Sequence, residues 1–224
     1  MEGIDMTDGI LKRYTVGEEI FNSISHGVGS VLAVCGMTVL IVLSVLNNTA
    51  LGLATSIIYG ISLIVLYTMS TVYHAVPQPK AKEVLRIFDH ASIFLLIAGS
   101  YTPFCLIALE GNPKGVMVAG AVWFCAIIGI VLNAYDLKKT EKFGTVLYVI
   151  MGWAIVFAVK DIVNALPTPA FWLLLLGGLS YTGGLVFYAM KKIKYMHSVW
   201  HLFVLAGSVL HYICIAVYVL PMAY

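Results

Sequence analysis

Charge is scarce in this chain. Lys, Arg, Asp and Glu together make up 11% of its 224 residues, against 61% hydrophobic residues, where a soluble domain carries about a quarter charged. That shortage excludes an ordinary water-soluble domain, and the net charge of +2 gives no sign of a nucleic-acid partner. The first 17 residues lack the basic-then-apolar order of a cleaved signal peptide, and are expected to form a short cytoplasmic segment. No CxxC pair is present: Cys35, Cys105, Cys125 and Cys214 each stand alone in an apolar run, which points to small core residues and away from disulfides or ligands. No internal repeat, low-complexity tract or linker interrupts the chain, so residues 1–224 read as one domain.

What the chain does have is long apolar runs. Seven can be marked, at Phe21–Leu46, Leu51–Tyr73, Ile87–Leu109, Gly115–Ala134, Phe143–Val159, Ala170–Met190 and Ser198–Leu220. Each approaches the ~20 residues that a ~30 Å hydrocarbon core demands, and bilayer-spanning chain must be helix or closed barrel. The expectation is an all-α integral membrane protein with seven transmembrane helices, multi-pass in the cell membrane and in contact with its lipids. Lys/Arg placement orients it. Lys12, Arg13, Lys80, Lys82, Arg86, Lys138, Lys139, Lys142, Lys191, Lys192 and Lys194 fall on one side, and only Lys114 and Lys160 on the other. The bias predicts a cytoplasmic N-terminus and an external C-terminus.

Ionisable residues inside such runs are functional candidates by default. His197 and His201 are four apart, hence on one helix face and able to share a metal ion. In the predicted topology His74 ends helix 2 on the cytoplasmic side. Asp89 and His90 lie about one turn into helix 3, and His26 opens helix 1. Five of the six histidines thus collect near the inner face, whereas His211 lies ten residues beyond His201, ~15 Å further along helix 7. Three imidazoles with an open fourth position make a catalytic zinc pattern, with His74, His197 and His201 as ligands. Asp89 is placed to hold and deprotonate a water whose pKa such a metal lowers to about 7; as a plain helix-start acid it would instead favour the helix dipole. Ser70, one turn from His74, would bond that water or a substrate oxygen, or else back-bond to its own helix. Glu19, Asn22 and His26 share one face at i, i+3, i+7, a pattern that a cap with interfacial polar residues also explains.

Taken together, Glu19-Ile-Phe-Asn22-Ser-Ile-Ser-His26, Ser70-Thr-Val-Tyr-His74, Phe88-Asp89-His90 and His197-Ser-Val-Trp-His201 resemble the ordered motifs of the hemolysin III family, the bacterial branch of the progestin and adipoQ receptor family. The resemblance implies zinc at His74, His197 and His201, a water-holding role for Asp89, and the helix 2 serine role for Ser70. Glu19, Asn22 and His26 match the family's N-terminal motif. Short termini favour the bacterial branch and its plasma membrane. A distant likeness to alkaline ceramidases implies a zinc-dependent hydrolase acting on a membrane lipid amide or ester and serving lipid homeostasis. The alternative is a non-enzymatic lipid-sensing or cytolytic protein with structural zinc. Against a pore, the runs carry no charged ladder: Ser62, Ser180 and His211 occur singly. The sequence is silent on oligomeric state.

Overall fold

The computed structural model describes residues 14–224; Lys12, Arg13 and most of the expected N-terminal segment lie outside the described residues. These residues form helices α1 (Val16–Leu46), α2 (Ala50–Ala75), α3 (Pro79–Pro103), α4 (Pro113–Gly152), α5 (Val159–Ala165), α6 (Thr168–Ala189) and α7 (Met196–Cys214), with no strand among them. A π-helical turn, Phe104–Ala108, extends α3, and Ile215–Val219 extends α7 in the same way. Six helical stretches are long and apolar enough to cross a membrane, with Pro113–Ala165 counted as one of 53 residues.

Local chemistry sets the boundaries. Thr15 and Glu18 form a capping box at the start of α1, with Thr15 N donating to Glu18 Oε2 at 2.8 Å and Glu18 N to Thr15 Oγ1 at 3.3 Å. Val16 and Gly17, expected in the segment before the membrane, are therefore helical. Thr49 caps α2 and Asn112 caps α4, through Gly52 N and Lys114 N, both at 3.0 Å. Pro79 stands at the first turn of α3, where its missing N–H costs nothing.

The charged stretch between the fourth and fifth apolar runs is the clearest departure from expectation. Instead of a loop, helix continues through it, interrupted at Asp136 alone (φ −158°, ψ 85°). Asp136 Oδ1 accepts from Lys139 N at 3.2 Å, so the extended residue caps the arm that follows. The two arms fold back on each other. Gly129 and Gly144 both face the Phe94 ring, Thr140 donates to Asn133 Oδ1 at 3.3 Å, and Val118 and Val122 line one groove with Ile150 and Met151. The fifth run also ends early, at Gly152, and the chain reaches α5 through a 3₁₀ turn at Ala154–Ala158.

α1 packs against α2 and α7, α2 against α3, α3 against α4, and α6 against α7. Tyr148 and Trp153 bridge the second arm of α4 to its neighbours: Tyr148 donates to the His90 carbonyl of α3 at 2.8 Å, and Trp153 Nε1 to Thr182 of α6 at 3.0 Å. The result is a ring of helices around an interior cavity. Its outer faces are apolar, with Val28, Val31, Leu32, Val39 and Val42 of α1 all exposed, while polar contacts sit inside. Ser44 pairs with Ser56, Ser30 with Thr68, and Tyr67 with Ser208. Lipid is as apolar as leucine, so close packing and interior hydrogen bonds hold such helices together. At Gly29 the fit leaves no room for a side chain, since an added Cβ would meet the Tyr67 ring at 2.5 Å.

Candidate metal centre

Four helices contribute to one cluster. α2 supplies His74 from its last turn and α7 supplies His197 and His201 from its first two, the pair one turn apart as their spacing requires. One ligand nitrogen from each lies within 4.8 Å of the others. His201 Nε2 is 3.1 Å from His197 Nε2, which is 3.4 Å from His74 Nε2. Tetrahedral zinc with Zn–N bonds of ~2.0–2.1 Å holds its nitrogens about 3.3–3.4 Å apart. Two of the three spacings are close to that value and all three fall within 4.8 Å, a convergence that can hold a metal ion. Without a metal the three imidazoles would have to share ring protons among themselves in a buried place, His201 being fully buried.

The N-terminal motif braces these rings from behind. His74 Nδ1 donates to Glu19 Oε2 at 2.5 Å, and Lys82 Nζ bonds Glu19 Oε1 at 2.8 Å and the Tyr73 carbonyl at 3.0 Å. Fixing the proton on Nδ1 leaves Nε2 of His74 as a lone pair aimed at the cluster, the carboxylate–histidine arrangement usual behind metal ligands. Asn22 Oδ1 accepts from Ser198 Oγ at 2.6 Å, and Ser25 Oγ lies 3.4 Å from His201 Nδ1. His26 stacks on His201, ring centroids 3.6 Å apart and planes 14° from parallel. Glu18 Oε1 accepts from Tyr195 N at 2.7 Å, which anchors the turn before α7. Tyr195 holds that turn at φ 63°, a left-handed conformation uncommon outside glycine. Tyr14 covers the cluster, stacked on His197 at 4.7 Å.

Asp89 and Ser70 line the cavity onto which His197 also opens. Both are buried, and His26 and His90 line the same cavity. Ser70 Oγ is buried without a hydrogen-bonding partner, so it does not back-bond to its own helix. The cavity, about 110 Å³, continues between α3, α4, α6 and α7 past Leu96, Tyr101, Trp153 and Tyr181 to His211, and its wall is overwhelmingly apolar.

Of the residues singled out in the sequence, Glu19, Asn22 and His26 pack against the group formed by His74, His197 and His201, Ser70 and Asp89 line the cavity that His197 also lines, and His211 lies farther along α7. Glu18, Ser25, Lys82 and Ser198 went unnoticed. Glu18 carried a readable signal, the Thr-x-x-Glu box ahead of an apolar run. Lys82 was counted as a topological charge, yet it is only 4% exposed and paired. The cationic residues Arg86 and Lys191 also converge, on Glu141 at 2.5 and 2.7 Å, with Tyr188 donating to the same carboxylate at 3.2 Å. Lys114 instead pairs with Asp161 at 2.8 Å.

Comparison with known proteins identifies the family. The family model for haemolysin-III related proteins matches residues 14–212. Hemolysin-3 of Bacillus cereus is 40% identical over 208 residues, covering 93% of this chain and 94% of that protein. A hemolysin-3 homolog of Bacillus subtilis (strain 168) is 38% identical over 205 residues, 92% of this chain and 96% of that one. The human monocyte to macrophage differentiation factor is 30% identical over 170 residues, 72% of this chain and 68% of its own length. With its apolar helices facing lipid, this chain is a multi-pass membrane protein that belongs to the haemolysin III-related family.

Proposed function

We propose that the protein is a zinc-dependent hydrolase of a membrane lipid amide or ester, serving membrane lipid homeostasis. The observation that carries this reading is that the three-histidine cluster opens, through His197, onto an apolar cavity that Asp89 and the unpartnered Ser70 hydroxyl also line. Residues 1–224 form one seven-crossing domain in this reading. At ~1.5 Å per residue, a 53-residue helix would span ~80 Å, more than twice the hydrocarbon core, and the break at Asp136 supports reading it as two crossings. The lysine and arginine bias sets the N-terminus in the cytoplasm and the C-terminus outside, with the histidines just inside the inner face.

His74, His197 and His201 would hold the zinc, which when bound would supply Lewis acidity to polarise a carbonyl oxygen and acidify water. Glu19 fixes the His74 tautomer, and Lys82 keeps Glu19 in place. Asn22 orients Ser198, and with it the start of α7, while His26 packs the face of His201. Asp89 holds the attacking water, takes its proton as the oxygen–carbon bond forms, and returns it to the amine or alcohol that departs as the bond from the acyl carbon to its nitrogen or ester oxygen breaks. Ser70 donates to the substrate carbonyl oxygen. The cavity takes the acyl chain and keeps bulk water away.

The name hemolysin, carried by two of the relatives, favours a second reading, a cytolytic membrane protein in which a metal at the histidines would be structural. One sample separates the two. Asp89→Asn keeps shape and hydrogen bonding but removes the carboxylate. Zinc is expected to stay, with affinity weakened at most ~10–100-fold. Release of fatty acid from ceramide and phospholipid vesicles falls by roughly 10²–10⁴. Retained zinc with unchanged turnover would remove the base from the mechanism.

A further inference from the structure

The cavity has a second polar end. His211 is 8% exposed and lines it, ~15 Å along α7 from His201 at 1.5 Å per residue. The ring edge carrying Nε2 and Cδ2 lies against α6. Gly177 has no side chain there, because a Cβ would collide with His211 Cδ2, and Nε2 is 3.1 Å from the Leu174 carbonyl. A carbonyl only accepts, so Nε2 carries the proton and Nδ1 is left as an acceptor. Nδ1 is buried, and no hydrogen bond reaches it.

The other polar groups at this end are already engaged. Tyr101 donates to the Gly152 carbonyl at 2.8 Å and accepts from Ile155 N at 3.0 Å. Tyr181 pairs with Ser208 at 2.8 Å, and Thr182 donates to the Gly178 carbonyl at 2.9 Å while accepting from Trp153. Ser100 donates to the Ile97 carbonyl at 2.9 Å. Among these groups the open valence is the acceptor on His211.

We propose that His211 Nδ1 is a second subsite, which accepts a hydrogen bond from a hydroxyl or amide N–H carried on the acyl chain about a dozen carbons from the carbonyl held at the histidines. The spacing follows from ~15 Å divided by ~1.25 Å per methylene, the advance of a zigzag of ~1.52 Å C–C bonds. The subsite rests on reading the cavity as lipid-binding. A chain without such a donor leaves a buried acceptor unmet, and a chain with one satisfies it, so the site discriminates between them.

The test is equilibrium binding of octadecanoic, 2-hydroxyoctadecanoic and 12-hydroxyoctadecanoic acids to the full chain in lipid nanodiscs. The 12-hydroxy acid is expected to bind about 5-fold tighter than the unsubstituted acid, the worth of one net hydrogen bond. The 2-hydroxy acid carries its hydroxyl at the wrong end and lacks that advantage at His211. In His211→Leu the 12-hydroxy preference falls to about one or below, and His211→Gln, which keeps an acceptor, retains part of it. Equal binding of the 12-hydroxy and unsubstituted acids by the unaltered protein overturns the subsite and leaves the lipid cavity standing; a buried water would then be what meets Nδ1. A preference that survives intact in His211→Leu overturns it equally. Failure of all three acids to bind sinks the lipid reading and the subsite together.

Discussion

Glu19 offers the sharpest test of how this site is built. Its two carboxylate oxygens do separate jobs: one takes the His74 Nδ1 proton at 2.5 Å and the other meets Lys82 at 2.8 Å. The Lys82 side chain is 5% exposed and that of Glu19 18%, so this is a buried pair with one edge near solvent. Glu19→Gln keeps an oxygen acceptor for His74 but removes the charge and strands the lysine. Zinc affinity is expected to fall ~10–100-fold, as for other groups that orient a metal-binding histidine. Stability is expected to fall by about 3 kcal/mol, the lower end for breaking a buried pair, because Lys82 keeps its bond to the Tyr73 carbonyl at 3.0 Å. The double variant Glu19→Gln/Lys82→Met separates the effects: it removes the stranded charge and regains most of the stability, yet leaves zinc affinity low. Chelator competition and thermal unfolding on the same detergent-purified samples read both quantities. If Glu19→Gln holds zinc as tightly as the unaltered chain, Glu19 does not orient His74 and the brace is wrong.

Two further expectations concern the metal and the membrane. His197→Ala/His201→Ala should lose a zinc that the unaltered chain holds at about one per molecule, while His211→Ala keeps it; elemental analysis decides, and full retention in the double variant refutes the assignment. A reporter fused after Tyr224 should signal from outside and one inserted at Lys139 from the cytoplasm; finding both on one side removes the topology.

The three histidines that come together were legible because their signal is local or depth-based. His197 and His201 announce themselves by a spacing of four, and His74 and Asp89 fall beside them once each apolar run is given a direction. The all-helical character followed from run length alone. The stretch around Asp136 misled because lysines and a glutamate look like a solvated loop, whereas one extended residue with a capping carboxylate turns the chain and lets helix resume at once. Charge was ambiguous for a deeper reason. Lys82 and Lys138 count equally in a positive-inside tally, but one is enclosed against Glu19 and only the other faces solvent. Which lysine is which depends on packing that composition cannot carry.

The same limit governs the N-terminal motif. Glu19, Asn22 and His26 could be placed on one helix face, and there the sequence stopped, since a face does not name what it meets. Its partners lie far along the chain: His74 is 55 residues from Glu19, and Ser198 is 176 from Asn22, as is His201 from Ser25. Only the contact of α1 with both α2 and α7 makes neighbours of them. The consequence is specific. α1 contributes no nitrogen to the three-histidine group, yet it touches every histidine in it or the residue beside it, so the precision of the cluster depends on a helix that supplies none of its ligands. Damage to α1 should therefore loosen metal binding by degrees, whereas damage to His74, His197 or His201 abolishes it.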